Sequence, residues 1–131
     1  MEYQTKNVPF RITDINLGFQ EAEGVLRLSG DRLVFEFKIK DALGLSVKSD
    51  VKEIHLPLEE LENVEVIDWW ITLRLVISVR SIKALDELPN VESGRVKLKI
   101  ARKYRRLLKE FVSRVRLALS EIRLNQLNGN S

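Results

Sequence analysis

The side chains with most chemistry to offer are cations. Arg95, Lys97, Lys99, Arg102, Lys103, Arg105, Arg106, Lys109, Arg114, Arg116 and Arg123 crowd a stretch whose only acids are Glu110 and Glu121, a net of +9. Residues 1–93 hold eleven basic and seventeen acidic side chains, a net of −6, and the chain as a whole carries +3. Such asymmetry points to a partner rich in negative charge: phosphates, an anionic membrane or an acidic protein surface. It points to no reaction. There is no cysteine, so thiolate nucleophiles, disulfides and thiolate metal sites are excluded, and the single histidine, His55, excludes a His-rich metal site. His55 reads as a surface residue of a strand. The acids Glu59, Glu60 and Glu62 lie too close along one turn to converge as a buried general acid or metal site. No catalytic residue is assigned, no enzyme activity is expected, and neither a metal nor a cofactor nor a small-molecule substrate is implied.

The elements that must position the cations follow from periodicity. Most of the chain alternates with period two, as half-buried strands do. Gly24 opens a run with Leu26 and Leu28 on one face. Ser29-Gly30-Asp31 makes a tight turn, and Leu33, Phe35, Phe37 and Ile39 point inward on the return strand against Arg32, Glu36, Lys38 and Lys40. Asp41 to Asp50 reads as a loop, and Val51 to Leu58 as a third strand that ends or lies at an edge near Pro57. A fourth strand begins near Val64 and reaches Ile67. Trp69, Ile71, Leu73, Leu75, Ile77 and Val79 then share the inward phase of one long strand, which turns Trp70 outward. Ser81 to Leu85 reads as a weaker strand, Asp86 to Gly94 as a surface loop, and Val96, Leu98 and Ile100 alternate with Arg95, Lys97 and Lys99 in the last strand.

From about Lys103 the period becomes that of a helix. At 100° per residue, Leu107, Leu108, Phe111, Val112, Val115, Leu119 and Ile122 fall in one arc of about 140°, and Arg105, Arg106, Lys109, Arg116 and Arg123 in an arc of about 100° opposite. An amphipathic helix docked on a sheet is expected, with residues 125–131 as a disordered tail. Residues 1–23 form an N-terminal extension with one additional strand, since Val8, Phe10 and Ile12 alternate. The expected core is Leu28, Phe35, Phe37, Ile54, Leu56, Trp69, Leu73, Leu98, Leu108, Phe111 and Val115.

About seven strands followed by one C-terminal amphipathic helix resemble the order of a pleckstrin-homology (PH) domain. The words Gly24-Val25-Leu26-Arg27-Leu28, Asp31-Arg32-Leu33-Val34-Phe35-Glu36 and Glu53-Ile54-His55-Leu56-Pro57-Leu58-Glu59-Glu60-Leu61 carry the likeness. The strand that stops at Pro57 before an acidic turn is similar to GRAM and bacterial PH-like domains. The resemblance covers residues 24–124. It implies a mainly β fold, a partly open barrel capped by the helix, and a non-enzymatic adaptor. It also implies a lipid-binding loop between the first two strands. On that alignment the loop is Ser29-Gly30-Asp31 between Arg27 and Arg32, where Asp31 and Val34 depart from the basic pattern.

The expected function is an interaction module that binds a protein partner, itself, or an anionic membrane surface. The alternative is a nucleic-acid-binding domain that uses the Arg95–Arg123 face as a phosphate track. Candidate anion- or membrane-binding residues are Lys97, Lys99, Arg102, Arg105, Arg106, Lys109, Arg116 and Arg123, and Trp70 is the candidate for an interaction surface. A solvated helix exterior, or a helix that neutralises the acidic segment Glu59–Glu65 or Asp86-Glu87 within the molecule, would also account for the charge. The polar start, Met-Glu-Tyr-Gln-Thr-Lys, reads unlike a signal peptide, so a cytoplasmic protein, peripheral at a membrane if the basic face is used there, is expected.

Overall fold

A computed structural model describes residues 4–43 and 50–129 of the 131-residue chain. The alternating segments become seven strands: β1 (Val8–Ile15), β2 (Gln20–Ser29), β3 (Arg32–Asp41), β4 (Lys52–Pro57), β5 (Leu61–Asp68), β6 (Leu73–Val79) and β7 (Arg95–Lys99), followed by the helix α1 (Arg105–Gly129). All neighbours pair antiparallel in one open sheet of order β4-β3-β2-β1-β7-β6-β5. β2 and β3 pair along their whole length, from Gln20 opposite Asp41 to Ser29 opposite Arg32, and the chain reverses at Gly30, whose φ of +60° costs a glycine nothing. The seam in the middle of the sheet is thinner: Arg11 opposite Lys99 is the single registered pair between β1 and β7.

One core joins both halves. Val8, Phe10, Leu26, Phe35, Phe37 and Leu56 from β1–β4 pack in the same cluster as Leu61, Leu75, Ile77 and Leu98 from β5–β7. Phe10 and Phe35 meet edge to face with ring centroids 6.2 Å apart. Leu108, Phe111, Val112, Val115 and Leu119 of α1 complete the cluster, and the helix touches β1, β2, β5 and the 3-10 turn Leu58–Glu60. β5 ends the sheet while β1 and β2 lie near its middle, so the sheet coils to bring both against one helix.

The structure corrects the sequence reading at several points. Trp69, expected in the core, is 68% exposed, and Ile71 is 76% exposed. The long strand breaks there: Trp69 donates its N–H to the Thr72 carbonyl at 2.9 Å, and β5 and β6 are joined by a tight loop over 69–72 that destroys the assumed phase. The other expected core residues are buried. Ser81 to Leu85 is no strand; Ile82–Leu85 forms a 3-10 turn. The strand expected as an N-terminal addition is β1 itself, placed at the centre of the sheet between β2 and β7. Ser29-Gly30-Asp31 therefore joins the second and third strands, and the turn between the first two is residues 16–19. Instead of a tail from residue 125, α1 continues to Gly129. Of the Asp41–Asp50 loop, residues 44–49 lie outside the described residues.

Phe111 is 2% exposed at the centre of the helix stripe. Phe111→Ala is expected to cost about 3–5 kcal/mol in urea-induced unfolding, and a loss below about 1 kcal/mol would mean that the helix does not close the core. Gly24 supplies a second test. A Cβ there would overlap the Glu36 carbonyl oxygen and sit 2.7 Å from Phe37 Cα, both backbone atoms that cannot swing aside. Gly24→Ala should lower stability by about 1–3 kcal/mol by forcing β2 from β3, and an unchanged midpoint would contradict the close approach.

Candidate anion-binding surface

β5 is a sheet edge, and an uncovered edge leaves backbone groups without partners. The basic face of α1 lies along it. Arg116 donates from Nη2 to the Val64 carbonyl at 2.9 Å, and Arg123 from Nη2 to the Glu62 carbonyl at 3.1 Å. At the end of β5, Asp68 receives Arg102 at 3.1 Å, Arg105 at 2.6 Å and Lys109 at 3.4 Å. The first turn of α1 contains no acid, so the cations there face an unfavourable helix dipole that the Asp68 carboxylate offsets. Internal compensation is thus present, though among the described residues these cations reach Asp68 and backbone carbonyls of β5 and the loop after it rather than the acidic side chains of Glu59–Glu65 or Asp86-Glu87. The eight sequence candidates divide accordingly. Arg102, Arg105, Lys109, Arg116 and Arg123 are bonded to β5 or the loop that follows it; Lys97 and Arg106 are exposed, and Lys99 is half-buried.

Beside this cluster the β5–β6 loop projects Trp69, Trp70 and Ile71, with exposures of 68%, 77% and 76%. Arg102 holds the base of the loop through its Nη1, which donates to the Trp69 carbonyl and, at 3.4 Å, to the Thr72 carbonyl. The candidate Trp70 is therefore at the tip of a tethered hairpin, with the Trp69 ring exposed next to it. A second exposed apolar pair, Leu17 and Phe19, occupies the turn between β1 and β2. Its neighbours along the chain are Asp14 and Glu21, the latter paired with Arg11 and Lys40, each at 3.9 Å.

A groove of about 800 Å³ opens against the same loop, bounded by Ile71 to Arg74 on one side and by Pro9 to Arg11, Glu23 to Val25 and Lys38 on the other, with Lys99 to Tyr104 between. Two sequence candidates, Lys99 and Arg102, line it. Lys103 of the basic segment lines it as well, and so do Arg11, Lys38 and Arg74, which were not singled out by the sequence reading. Each of Arg11, Lys38 and Arg74 is one outward residue in an alternating strand, and nothing local to those strands marks it. Lys103 lies over the Tyr104 ring at 5.2 Å. Glu23, the one acid of the lining, is taken by Lys40, and that hydrogen bond is the main reason its carboxyl is held below the ordinary glutamate range.

Outside this region, His55 is an exposed strand residue 2.6 Å from Glu53. Among the described residues, no group of His, Asp or Glu side chains could hold a metal ion, and no helix is long and apolar enough to cross a membrane.

The Asp68 cluster makes a pH prediction. Hydrogen bonding from Arg105, with further contributions from Arg102 and Lys109, lowers the Asp68 carboxyl from its ordinary value. A carboxyl depressed in the folded state stabilises the protein fully above the unfolded value, about 3.9 for Asp, and loses that contribution as pH falls through the folded one. Wild type should therefore melt above Asp68→Asn at neutral pH, and the gap in Tm should close below about pH 3.9. A gap that is constant with pH would show that the charge of Asp68 plays no part.

No protein-family model, no curated protein and no solved structure matches this chain.

Proposed function

We propose that the protein is a non-catalytic, PH-like binding module that docks peripherally on an anionic membrane surface, with the 69–72 loop entering the interface and the cations around it facing headgroups. The observation that carries this reading is the exposure of Trp69, Trp70 and Ile71 together at a loop tip tied to Arg102. Tryptophan suits the membrane interface because its ring is largely apolar while the indole N–H keeps a polar contact. Lysine and arginine near an anionic leaflet add about 1 kcal/mol each. Arg102 and Lys103 line the groove beside Ile71 at the tip, Arg102 sharing Asp68 with Arg105 and Lys103 exposed without an ion pair among the described residues, and Arg106 is exposed in the first turn of α1.

The nucleic-acid alternative has less support, because Arg116 and Arg123 are engaged with β5 rather than free to line a phosphate track. A protein partner or a second copy of the chain would also use an exposed tryptophan pair. What favours the membrane is the positive charge around the tip.

Vesicle sedimentation tests the proposal. Wild type should bind phosphatidylcholine vesicles containing phosphatidylglycerol, bind pure phosphatidylcholine weakly, and release as salt screens the headgroups. Burial of on the order of 100 Å² from the two indoles is worth about 2.5 kcal/mol, so Trp69→Ala with Trp70→Ala should weaken partitioning by more than about tenfold. The indole emission of wild type should shift to the blue on binding. A double variant that binds as well as wild type would refute insertion. So would tryptophan-dependent dimerisation without vesicle binding, which would assign the tip to self-association.

A further inference from the structure

We propose that the groove beside the β1–β7 seam is a recognition site for a phosphate monoester. The strand registers set one row of side chains across the outer face of the sheet: Lys38 opposite Glu23, Glu23 opposite Arg11, Arg11 opposite Lys99, and Lys99 opposite Arg74. All five line the groove. Their neighbours along the strands, including Phe10, Phe37, Leu73 and Leu98, point into the core, so the row belongs to the solvent face.

Arg11, Lys99 and Arg74 stand directly opposite one another on three consecutive strands. Like charges in that position repel and destabilise a sheet. Arg11 has Glu21 at 3.9 Å and Glu23 opposite it, the latter bonded to Lys40, but among the described residues no carboxylate pairs with Lys99 or Arg74. Arg74 Nε is buried and has no hydrogen-bond partner among the described residues. Groups that violate a local rule without compensation inside the molecule are where function is to be sought.

The missing partner must carry more than one charge and several acceptor oxygens. A carboxylate or a phosphodiester brings a single charge. A phosphate monoester near neutral pH carries roughly −1.5 to −2 with three terminal oxygens, enough to meet a guanidinium fork and neighbouring ammonium groups together. Directly opposed residues lie about 5 Å apart at Cβ, within reach of one phosphate for side chains this long. The groove also has an apolar wall in Ile71 and Tyr104, against which the organic part of the ester packs. Its volume falls in the ordinary range of small-ligand sites.

The ester can belong to a lipid headgroup or to a soluble metabolite. The lipid arm rests on the membrane-docking reading above; the soluble arm does not. The experiment is an NMR titration of the isotope-labelled full chain with phenyl phosphate, at ionic strength fixed with chloride and with dimethyl phosphate as the diester control. It is paired with sedimentation on vesicles of phosphatidylcholine carrying either phosphatidic acid or phosphatidylglycerol at matched surface charge. The expected result is a saturable shift at the amides of Arg11, Lys38, Arg74 and Lys99 with the monoester and none with the diester. Affinity should fall about tenfold or more in Arg74→Gln with Lys99→Gln, since charge-assisted hydrogen bonds are lost. That variant relieves repulsion, so its Tm without ligand should match or exceed wild type; if it fails to fold, Lys38→Gln supplies the comparison. Preference for phosphatidic acid, abolished by the variant, assigns the site to a lipid headgroup; a monoester shift without that preference assigns it to a soluble ester. The absence of both a saturable monoester shift and a phosphatidic acid preference overturns the proposal, even if the tryptophan-dependent binding to phosphatidylglycerol stands. Conversely, loss of that tryptophan dependence with an intact monoester shift removes the docking reading and leaves the groove.

Discussion

An open sheet must end somewhere, and the edge at β5 is closed by side chains instead of another strand. Arginines of α1 reach the Val64 and Glu62 carbonyls, while Asp68 at the end of the same strand gathers Arg102, Arg105 and Lys109. Each contact alone is an exposed polar interaction of small worth. Together they orient a helix whose affinity for the sheet comes from Phe111, Val115 and the rest of its apolar stripe. Hydrophobic burial holds the helix down, and the polar contacts with β5 determine its register along the edge.

That register has consequences at the end of β5. With Arg102 bonded both to Asp68 and to the carbonyls of Trp69 and Thr72, the loop over 69–72 is anchored at its base while its apolar side chains remain in solvent. Burying them in the core was open to a longer strand. The chain turns instead, and the exposed surface persists despite the cost of hydrating two indoles and an isoleucine. The same Arg102 lines the groove, so edge closure, loop anchoring and the proposed anion site meet at one guanidinium.

The charge dipole separates into parts with different roles. Helix cations serve largely inside the molecule. Lys99 and Arg102 join Arg11, Lys38 and Arg74, which come from the acidic part of the chain, to make a positive groove that no single segment of sequence contains. Net charge by segment therefore pointed to the sign of this groove's charge but not to the residues that line it.

Alternation by itself determined most of the strands, because a half-buried strand must repeat every two residues; it also determined the helix stripe from Leu108 to Leu119, and of the core residues expected from it all but Trp69 are buried. It failed where a phase was carried across a turn. Trp69 and Ile71 share parity with Leu73, but four residues that reverse the chain have no continuous face, and the tight turn was hidden behind uninterrupted apolar residues. Ile82–Leu85 failed for a related reason, since four apolar or mixed residues suit a 3-10 turn as well as a strand. The central position of β1 and the row from Lys38 to Arg74 were decided only by tertiary structure. Which outward residues become neighbours depends on strand order and register, and at the seam these come down to one pair, Arg11 with Lys99, separated by most of the chain.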